Sequence, residues 1–356
     1  MSKKKTILIA PLHWGLGHAT RCVPIIQALL ANGFKVIVAS DGGALLLLRK
    51  EFPLLESLEL PSYNITYPSK GSNLKWHLLL KLPHIQKTIA SEKKIIASLV
   101  AKGVIDGIIS DNRFGVRSKK VPSVFITHQL NVLSGITTFF SSKIHQNISK
   151  KFDECWVPDI EGTNNLSGQL GHPKKVNFPV HYIGILSRMH RSDLKKKYDI
   201  LVILSGPEPQ RTLLEEKIIA ELKASKKSIL LVQGCMASKQ TSARIGNLQV
   251  VNFLLTSALE KAINESELII SRSGYTTIMD LAMLEKKAFF IPTPGQYEQE
   301  YLAKKLKKQG IAPYCKQENF SEKKLENIYA YTGFKGMHQP NDLAPLFRLF
   351  ERKRKL

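Results

Sequence analysis

The sequence predicts an α/β protein built as two Rossmann-like, doubly wound domains that face each other across a cleft. Three observations carry this expectation. At 356 residues the chain is long enough for two domains rather than one. It opens on a strand, a Gly-containing loop, a helix and a second strand over residues 6–39, and the same pattern restarts near Ile200. Between residues 271 and 303, two strand ends in succession open onto helix starts, the arrangement that makes a ligand crevice in an open parallel sheet.

Taken in order, residues 6–10 form an apolar first strand, and the loop 12–18 carries Gly15 and Gly17. A helix from about Ala19 puts Val23, Ile26, Leu29 and Leu30 on one side, and Gly33 ends it before a strand over 34–39. A helix over 45–51, a strand over 54–60 and a polar loop over 62–72 follow. Over 74–89, Leu74, Leu78, Leu82, Ile85 and Ile89 make one apolar stripe. Trp76, Leu79 and Leu80 lie opposite, with Lys75, Lys81 and Lys87 nearby. Such a second apolar sector suits contact with an anionic membrane surface and suits burial on two sides equally. Pro83 must start or kink any helix there.

Strands over 104–110 and 123–127 end in the polar loops Asp111-Asn112-Arg113 and His128-Gln129. A helix over 138–151 and strands over 154–157 and 177–184 complete a first domain over 1–184, with 185–198 as linker. The second domain, 199–338, begins with a strand over 200–204 and a loop, Ser205 to Arg211, that opens a helix. Strands over 228–233 and 249–252 and a helix over 256–265 lead to the turn Ser273-Gly274. Beyond it come a helix with Thr276, Thr277 and Asp280, a strand over 288–291, and a helix with Gln296, Glu298, Gln299 and Glu300. Helices are expected near 322–330 and 343–355, the tail 339–356 packing back on the first domain.

With 43% hydrophobic residues and a mean hydropathy of −0.11, the composition is that of a soluble globular protein. No apolar run is long enough to span a bilayer, and the first residues have no signal-peptide logic. Cys22, Cys155, Cys235 and Cys315 lack metal-type spacing. Cytoplasmic residence is the expectation, with a peripheral place on the inner face of a membrane as its extension. The net charge is +23, and its excess is densest between Ser62 and Phe152, where 14 Lys and Arg meet three acids. That favours anionic partners, although a lysine-rich composition alone gives the same number. Lysines spread over both domains without interleaved aromatics argue against nucleic acid. No feature speaks to the oligomeric state.

A nucleoside diphosphate needs N–H dipoles and cations around its phosphates, and a carboxylate for its ribose hydroxyls. Ser205 and Gly206 stand at one helix start, Ser273 and Gly274 at the next. Arg211 or Arg272 would neutralise the pyrophosphate, and Asp280 would take the ribose. His18 lies in a loop that faces the cleft, within reach of a strand end carrying Asp111. A histidine has the pKa range of a general base, which Asp111 would orient, unless Asp111 is itself the base. No DxD motif stands in a suitable loop, so neither a metal ion nor a cofactor is expected, the nucleotide sugar being the substrate.

Four segments resemble the GT-B glycosyltransferases of family 28. Gly15-Leu16-Gly17-His18 is similar to that family's first Gly-rich loop, and Thr127-His128-Gln129-Leu130-Asn131 to its acceptor-side segment, without the family's Glu. Ser205 to Gln210 takes the place of its second Gly-rich loop. Ser271-Arg272-Ser273-Gly274 with Thr277 and Asp280, then Gln299-Glu300, resembles its donor signature, with Asp280 where the family has Glu. The resemblance implies the GT-B fold and an inverting, metal-independent transfer from a UDP-hexose or UDP-N-acetylhexosamine to a lipid-linked or cell-envelope acceptor. It places the nucleobase near Phe253 and Leu254, the sugar on Gln296, Gln299 and Glu300, and the acceptor near Asn112, Arg113, His128 and Gln129. Gly17 and Thr277 would border the donor. A sugar-nucleotide epimerase of the same two-domain build is the alternative.

Overall fold

The computed structural model describes residues 4–64, 81–133, 138–206, 208–337 and 342–351. Among these, the strands form two sheets. The first runs β3-β2-β1-β4-β5-β6-β7 and is parallel throughout. Its strands are β1 (Thr6–Pro11), β2 (Lys35–Ser40), β3 (Glu56–Glu59), β4 (Gly107–Asp111), β5 (Ser123–Ile126), β6 (Glu154–Val157) and β7 (Val180–Tyr182). The second runs β10-β11-β9-β8-β12-β13. It comprises β8 (Tyr198–Ile203), β9 (Ile229–Val232), β10 (Ser242–Ile245), β11 (Leu248–Val251), β12 (Ser266–Ser271) and β13 (Lys287–Phe290).

The central strands read as continuous apolar runs because helices cover both faces of each sheet. Every residue of β4, β5 and β9 is buried. In the first sheet the chain order reverses between β1 and β4, and in the second β8 lies between β9 and β12. Ligands of open α/β sheets bind outside the carboxyl ends of strands at such switch points. The carboxyl ends of β1, β4, β8 and β12 and the segments just after them carry His18, Asp111, Gly206 and Gly274.

The helices are α1 (Gly17–Ala31), α2 (Gly42–Glu51), α3 (Leu82–Ala101), α4 (Thr138–Ser149), α5 (Gln210–Leu222), α6 (Thr256–Asn264), α7 (Tyr275–Met283), α8 (Tyr297–Lys308) and α9 (Arg348–Glu351). Residues 74–80 of the stretch read as a membrane-facing helix lie outside the described residues. The described part differs from the expectation: α3 starts at Leu82 with Pro83 in its first turn, and buries Thr88, Glu92 and Ile96. Proline is tolerated there because the first-turn N–H has no helical partner to lose. The hairpin β10–β11 escapes the periodicity argument since all four β10 residues are exposed. The segment Glu322–Ala330 is a 3₁₀ helix rather than an α-helix. Towards the C-terminus a 3₁₀ turn (Ala344–Phe347) precedes α9. Phe347 and Phe350 there pack edge-on to Phe34 of the first domain.

The domains are bonded to each other as well as tethered. Glu51, at the end of α2, accepts from Thr256 N at 2.8 Å, so a carboxylate of one domain sits at the uncapped start of α6 in the other. Arg188, in the segment between the sheets, donates to Glu51 at 3.2 Å and to Thr256 Oγ1 at 2.9 Å. On the far side Gln169 N donates to Tyr301 Oη at 2.8 Å, and Lys305 Nζ to Asn165 O at 2.7 Å. Among the described residues no helix is long and apolar enough to cross a membrane.

Candidate active site

The two switch points meet in one cleft with a cavity volume of about 1090 Å³. A Cβ built on Gly15 would come within 3.9 Å of Gly206 Cα, so the two Gly-rich loops face each other directly. Thr276 Oγ1 donates to Gly17 O at 3.1 Å across the same gap. Gly15 and Gly206 both have positive φ, +75° and +105°, which a side chain would strain.

His18 sits in the first turn of α1, and its Nδ1 lies 2.8 Å from Asp111 Oδ1. Asp111 is fully buried at the end of β4. Burial alone would raise its pKa, but the charges and hydrogen bonds of Arg21 and His18 outweigh this and hold it well below the usual carboxylate range. Arg21 donates from Nε to Asp111 Oδ2 at 2.6 Å and from Nη2 to Oδ1. Burial lowers the pKa of His18; Asp111 opposes that and Arg21 reinforces it, so the ring is neutral at pH 7. With Asp111 locked as the anion of an ion pair, His18 is the group of the two that can take up a proton.

Beside it, His128 stacks on Tyr275 of the other domain, centroids 4.4 Å apart and planes 5° from parallel. Its Nε2 lies 2.9 Å from Glu298 Oε1, and Gln129 donates to the second oxygen of Glu298. Asn112, at φ 58°, and Gln129 also line the cleft. Arg113 does not. Its guanidinium is fully buried, bonded to Glu92 at 2.8 Å, Asp41 at 2.7 Å and the Pro61 carbonyl at 2.6 Å. It cross-links strand ends beneath the site, and the expected acceptor contact is withdrawn.

On the donor side, Ser205, Gly206, Leu254, Gly274, Thr277, Asp280, Gln296 and Gln299 line the cleft as expected, with Gly17 opposite. The helix α7 starts at Gly274 with no side-chain cap, leaving first-turn N–H groups for an anion. Asp280 Oδ1 accepts from Ser187 Oγ at 2.7 Å. Burial raises its pKa to about 6, against the opposing pull of Arg188 and Ser187. Gln299 spends its carbonyl on Thr293 N at 2.8 Å.

Four residues expected at the donor lie off the cleft wall. Arg211 is held in ion pairs with Glu208 at 2.6 Å and Glu215 at 2.5 Å, along its own helix. Arg272 is buried and bonded to the carbonyls of Ile291, Pro292 and Gln210 and to Gln317 Oε1. Burial with no carboxylate partner lowers its pKa to about 9. Ser273 Oγ donates to Gln299 O, and Glu300 accepts from Gly295 N at 3.2 Å. The acid of α8 that faces the cleft is Glu298. Successive helical residues turn by about 100°, so Glu298 and Glu300 point to nearly opposite sides of α8.

Sequence reasoning missed Arg21, Tyr275, Glu298 and the pair Ser187-Arg188. For Arg21 a signal exists: it stands three residues after His18 on a helix, which places both on one face. Nothing local marks the other four, whose cleft and interdomain partners lie 68 or more residues away.

Residues 201–335 match the model of the glycosyltransferase family 28 C-terminal domain. The UDP-N-acetylglucosamine--N-acetylmuramyl-(pentapeptide) pyrophosphoryl-undecaprenol N-acetylglucosamine transferase of Haemophilus ducreyi is 21% identical over 340 residues, covering 92% of this chain and 89% of that one. Its namesake in Cupriavidus pinatubonensis is 23% identical over 367 residues, covering 98% and 94%. Among solved structures, MurG of Acinetobacter baumannii superposes with a TM-score of 0.56 at 18% identity, covering 98% of this chain and 99% of that one. The spinosyn forosaminyltransferase SpnP gives 0.64 at 13% identity, covering 98% and 100%. The fold is GT-B.

Proposed function

We propose that this chain, a glycosyltransferase whose second domain matches family 28, moves a hexose or N-acetylhexosamine from a UDP-sugar, with inversion and without a metal ion, to a lipid-linked acceptor of the cell envelope. The observation that carries this reading is the division of the cleft. Its second-domain wall sets Ser205, Thr276, Thr277, Gln296 and Glu298 among apolar side chains and ends in the uncapped start of α7 beside the Asp280 carboxylate. Its first-domain wall broadens into an apolar wing of Leu82, Ile85, Phe114, Val132, Leu133 and Ile148. A nucleotide sugar matches the first wall. An acceptor with a hydrocarbon portion matches the second, and an epimerase, which has no acceptor, has no use for it.

In the proposed reaction the acceptor hydroxyl attacks the anomeric carbon from the first-domain side. The new carbon–oxygen bond forms as the bond to the diphosphate oxygen breaks. His18 Nε2 takes the hydroxyl proton, while its Nδ1–H stays on Asp111, whose charge stabilises the imidazolium. The departing UDP gathers negative charge where the N–H groups of α7 point. Asp280 takes the ribose hydroxyls, and Glu298 and Gln299 read the sugar. A peripheral place on an anionic membrane is supported by the wing's opening beside α4, where Phe139 and Phe140 are each about two-thirds exposed (68% and 67%) next to Lys143.

The test is incubation of the protein with a panel of UDP-sugars, with and without a polyprenyl-phosphate-linked acceptor in detergent. Transfer only when the acceptor is present supports the reading. An epimerised UDP-sugar in the acceptor-free arm replaces it with the alternative. In the same panel Asp280→Ala should abolish the thermal stabilisation given by UDP, since a bound ligand stabilises the folded state in proportion to occupancy. Unchanged UDP affinity in that variant sinks the ribose assignment.

A further inference from the structure

Arg21, on α1, is 2% exposed and lines the cleft beside His18. Besides its two bonds to Asp111, its Nη1 lies 2.9 Å from His128 Nδ1 and its Nη2 lies 2.8 Å from His18 Nδ1. A guanidinium can only donate. His128 Nδ1 must therefore be an acceptor, which puts the ring proton on Nε2. That nitrogen faces Glu298 Oε1 at 2.9 Å, and a carboxylate can only accept. Two independent contacts on opposite sides of the ring demand the same tautomer.

For His18 the demand is the reverse. Its Nδ1 has an accepting partner in Asp111 Oδ1 at 2.8 Å. Arg21 Nη2 lies equally close to Nδ1, but it donates to that same Asp111 oxygen, so the carboxylate is the partner that decides: Nδ1 carries the proton and Nε2 is bare.

We propose that Arg21 is a positioning residue that fixes the tautomer of His128 directly and that of His18 through the Asp111 carboxylate it holds, leaving His18 with a bare Nε2 for the acceptor proton and His128 as a neutral donor that holds Glu298. The inference rests on the transfer reaction proposed above. It divides labour between two chemically identical rings. A His128 locked by Arg21 on one side and Glu298 on the other does not compete for the acceptor proton, and it orients the acid that reads the sugar. Arg21 also faces His18 with a positive charge, so a proton on His18 is opposed by Arg21 and favoured by Asp111 and Glu298. The remaining groups around the pair are Cys22 on α1, Asn112 after β4, Tyr275 on α7, and His145 on α4, whose ring is pushed to neutrality by burial.

The tautomers are read in the ligand-free protein by long-range nitrogen–proton correlation of ¹⁵N-labelled histidines near pH 7.5. The expected pattern is Nδ1–H for His18 and Nε2–H for His128. A His128 that carries its proton on Nδ1, or on both nitrogens, overturns the proposal. The second measurement is the pH profile of kcat/KM for Arg21→Met. Without the opposing guanidinium, His18 and Asp111 become a simple ion pair, and the acid limb should rise by about one unit, roughly a tenfold loss of rate below it. A folded variant with the wild-type acid limb and only a lower plateau overturns the assignment. Because the tautomers are measured without substrate, they stand or fall separately from the reaction. Wild-type protein that consumes no UDP-sugar defeats the proposed function and leaves the histidine assignment intact.

Discussion

Burial of ionisable groups decides which residues here do chemistry and which hold the scaffold. The four arginines Arg21, Arg113, Arg188 and Arg272 are all 6% exposed or less, and each meets its cost through carboxylates or carbonyls. Residue type alone does not separate such structural arginines from phosphate ligands, since both present the same fork of donors. His145 gives a sharper case. Its ring packs against Phe114 and Phe125 at 6.0 and 5.6 Å, its Nδ1 has no partner among the described residues, and burial lowers its pKa to about 4. The unfolded chain takes up this proton near 6.5 and the folded protein only near 4. Stability is therefore full above pH 6.5 and falls as pH drops from 6.5 towards 4. The ring is partly exposed, so the loss is on the order of 2 kcal/mol rather than the whole shift at about 1.4 kcal/mol per unit. His145→Phe should flatten that limb in urea titrations at pH 7 and pH 5. A variant that loses as much stability as the wild type over that interval removes His145 as the cause.

At the scale of elements, helix starts are the working parts and helix faces the constraints. The α7 start is free for an anion because no side chain caps it, whereas the α6 start is taken by Glu51 from the other domain. The strand–turn–helix order that places α7 was legible from Ser271 onward, because periodicity and the turn Ser273-Gly274 are local. The face of α8 is not legible in this way: the family resemblance points to Glu300, whereas the phase of the folded helix turns Glu298 to the cleft. The exposed face of α4 carries a prediction of its own. Phe139, Phe140 and Ile144 lie out in solvent beside Lys143, and such a face gains free energy by entering a lipid interface. Replacing Phe139 and Phe140 by Ser should weaken co-sedimentation with anionic vesicles at least tenfold, on the basis of about 1.5–3 kcal/mol for a fully buried Phe. Transfer to a detergent-solubilised acceptor should change little. Equal vesicle binding by the variant and the parent would show that α4 does not meet the membrane.

For the whole molecule the cleft is a property of two domains held in register. Glu51 and Arg188 lock one end of it and Tyr301 and Lys305 the other. Glu51→Ala leaves Arg188 buried without its carboxylate, which costs about 3–5 kcal/mol when a buried pair is broken. The expected outcome is a lower melting temperature, with a calorimetric trace that broadens or splits as the domains lose their coupling. A trace identical to the wild type's would show that the clamp contributes nothing. The sequence by itself determined the two doubly wound sheets, their order along the chain, the loops at their carboxyl ends, and His18, Gly274 and Asp280 among the residues there. Those features follow from hydrophobic period, glycine and turn chemistry, all written within about a dozen neighbouring residues. Arg211 pairs locally, with Glu208 and Glu215 three and four residues away. Only the tertiary structure decided that Arg113 and Arg272 are scaffold, that Glu298 is the acid α8 presents to the cleft, and that Arg21 joins His18, Asp111 and His128. Each of those choices depends on a carboxylate, carbonyl or ring brought in from another element, and contacts across such gaps leave no period in the sequence to read.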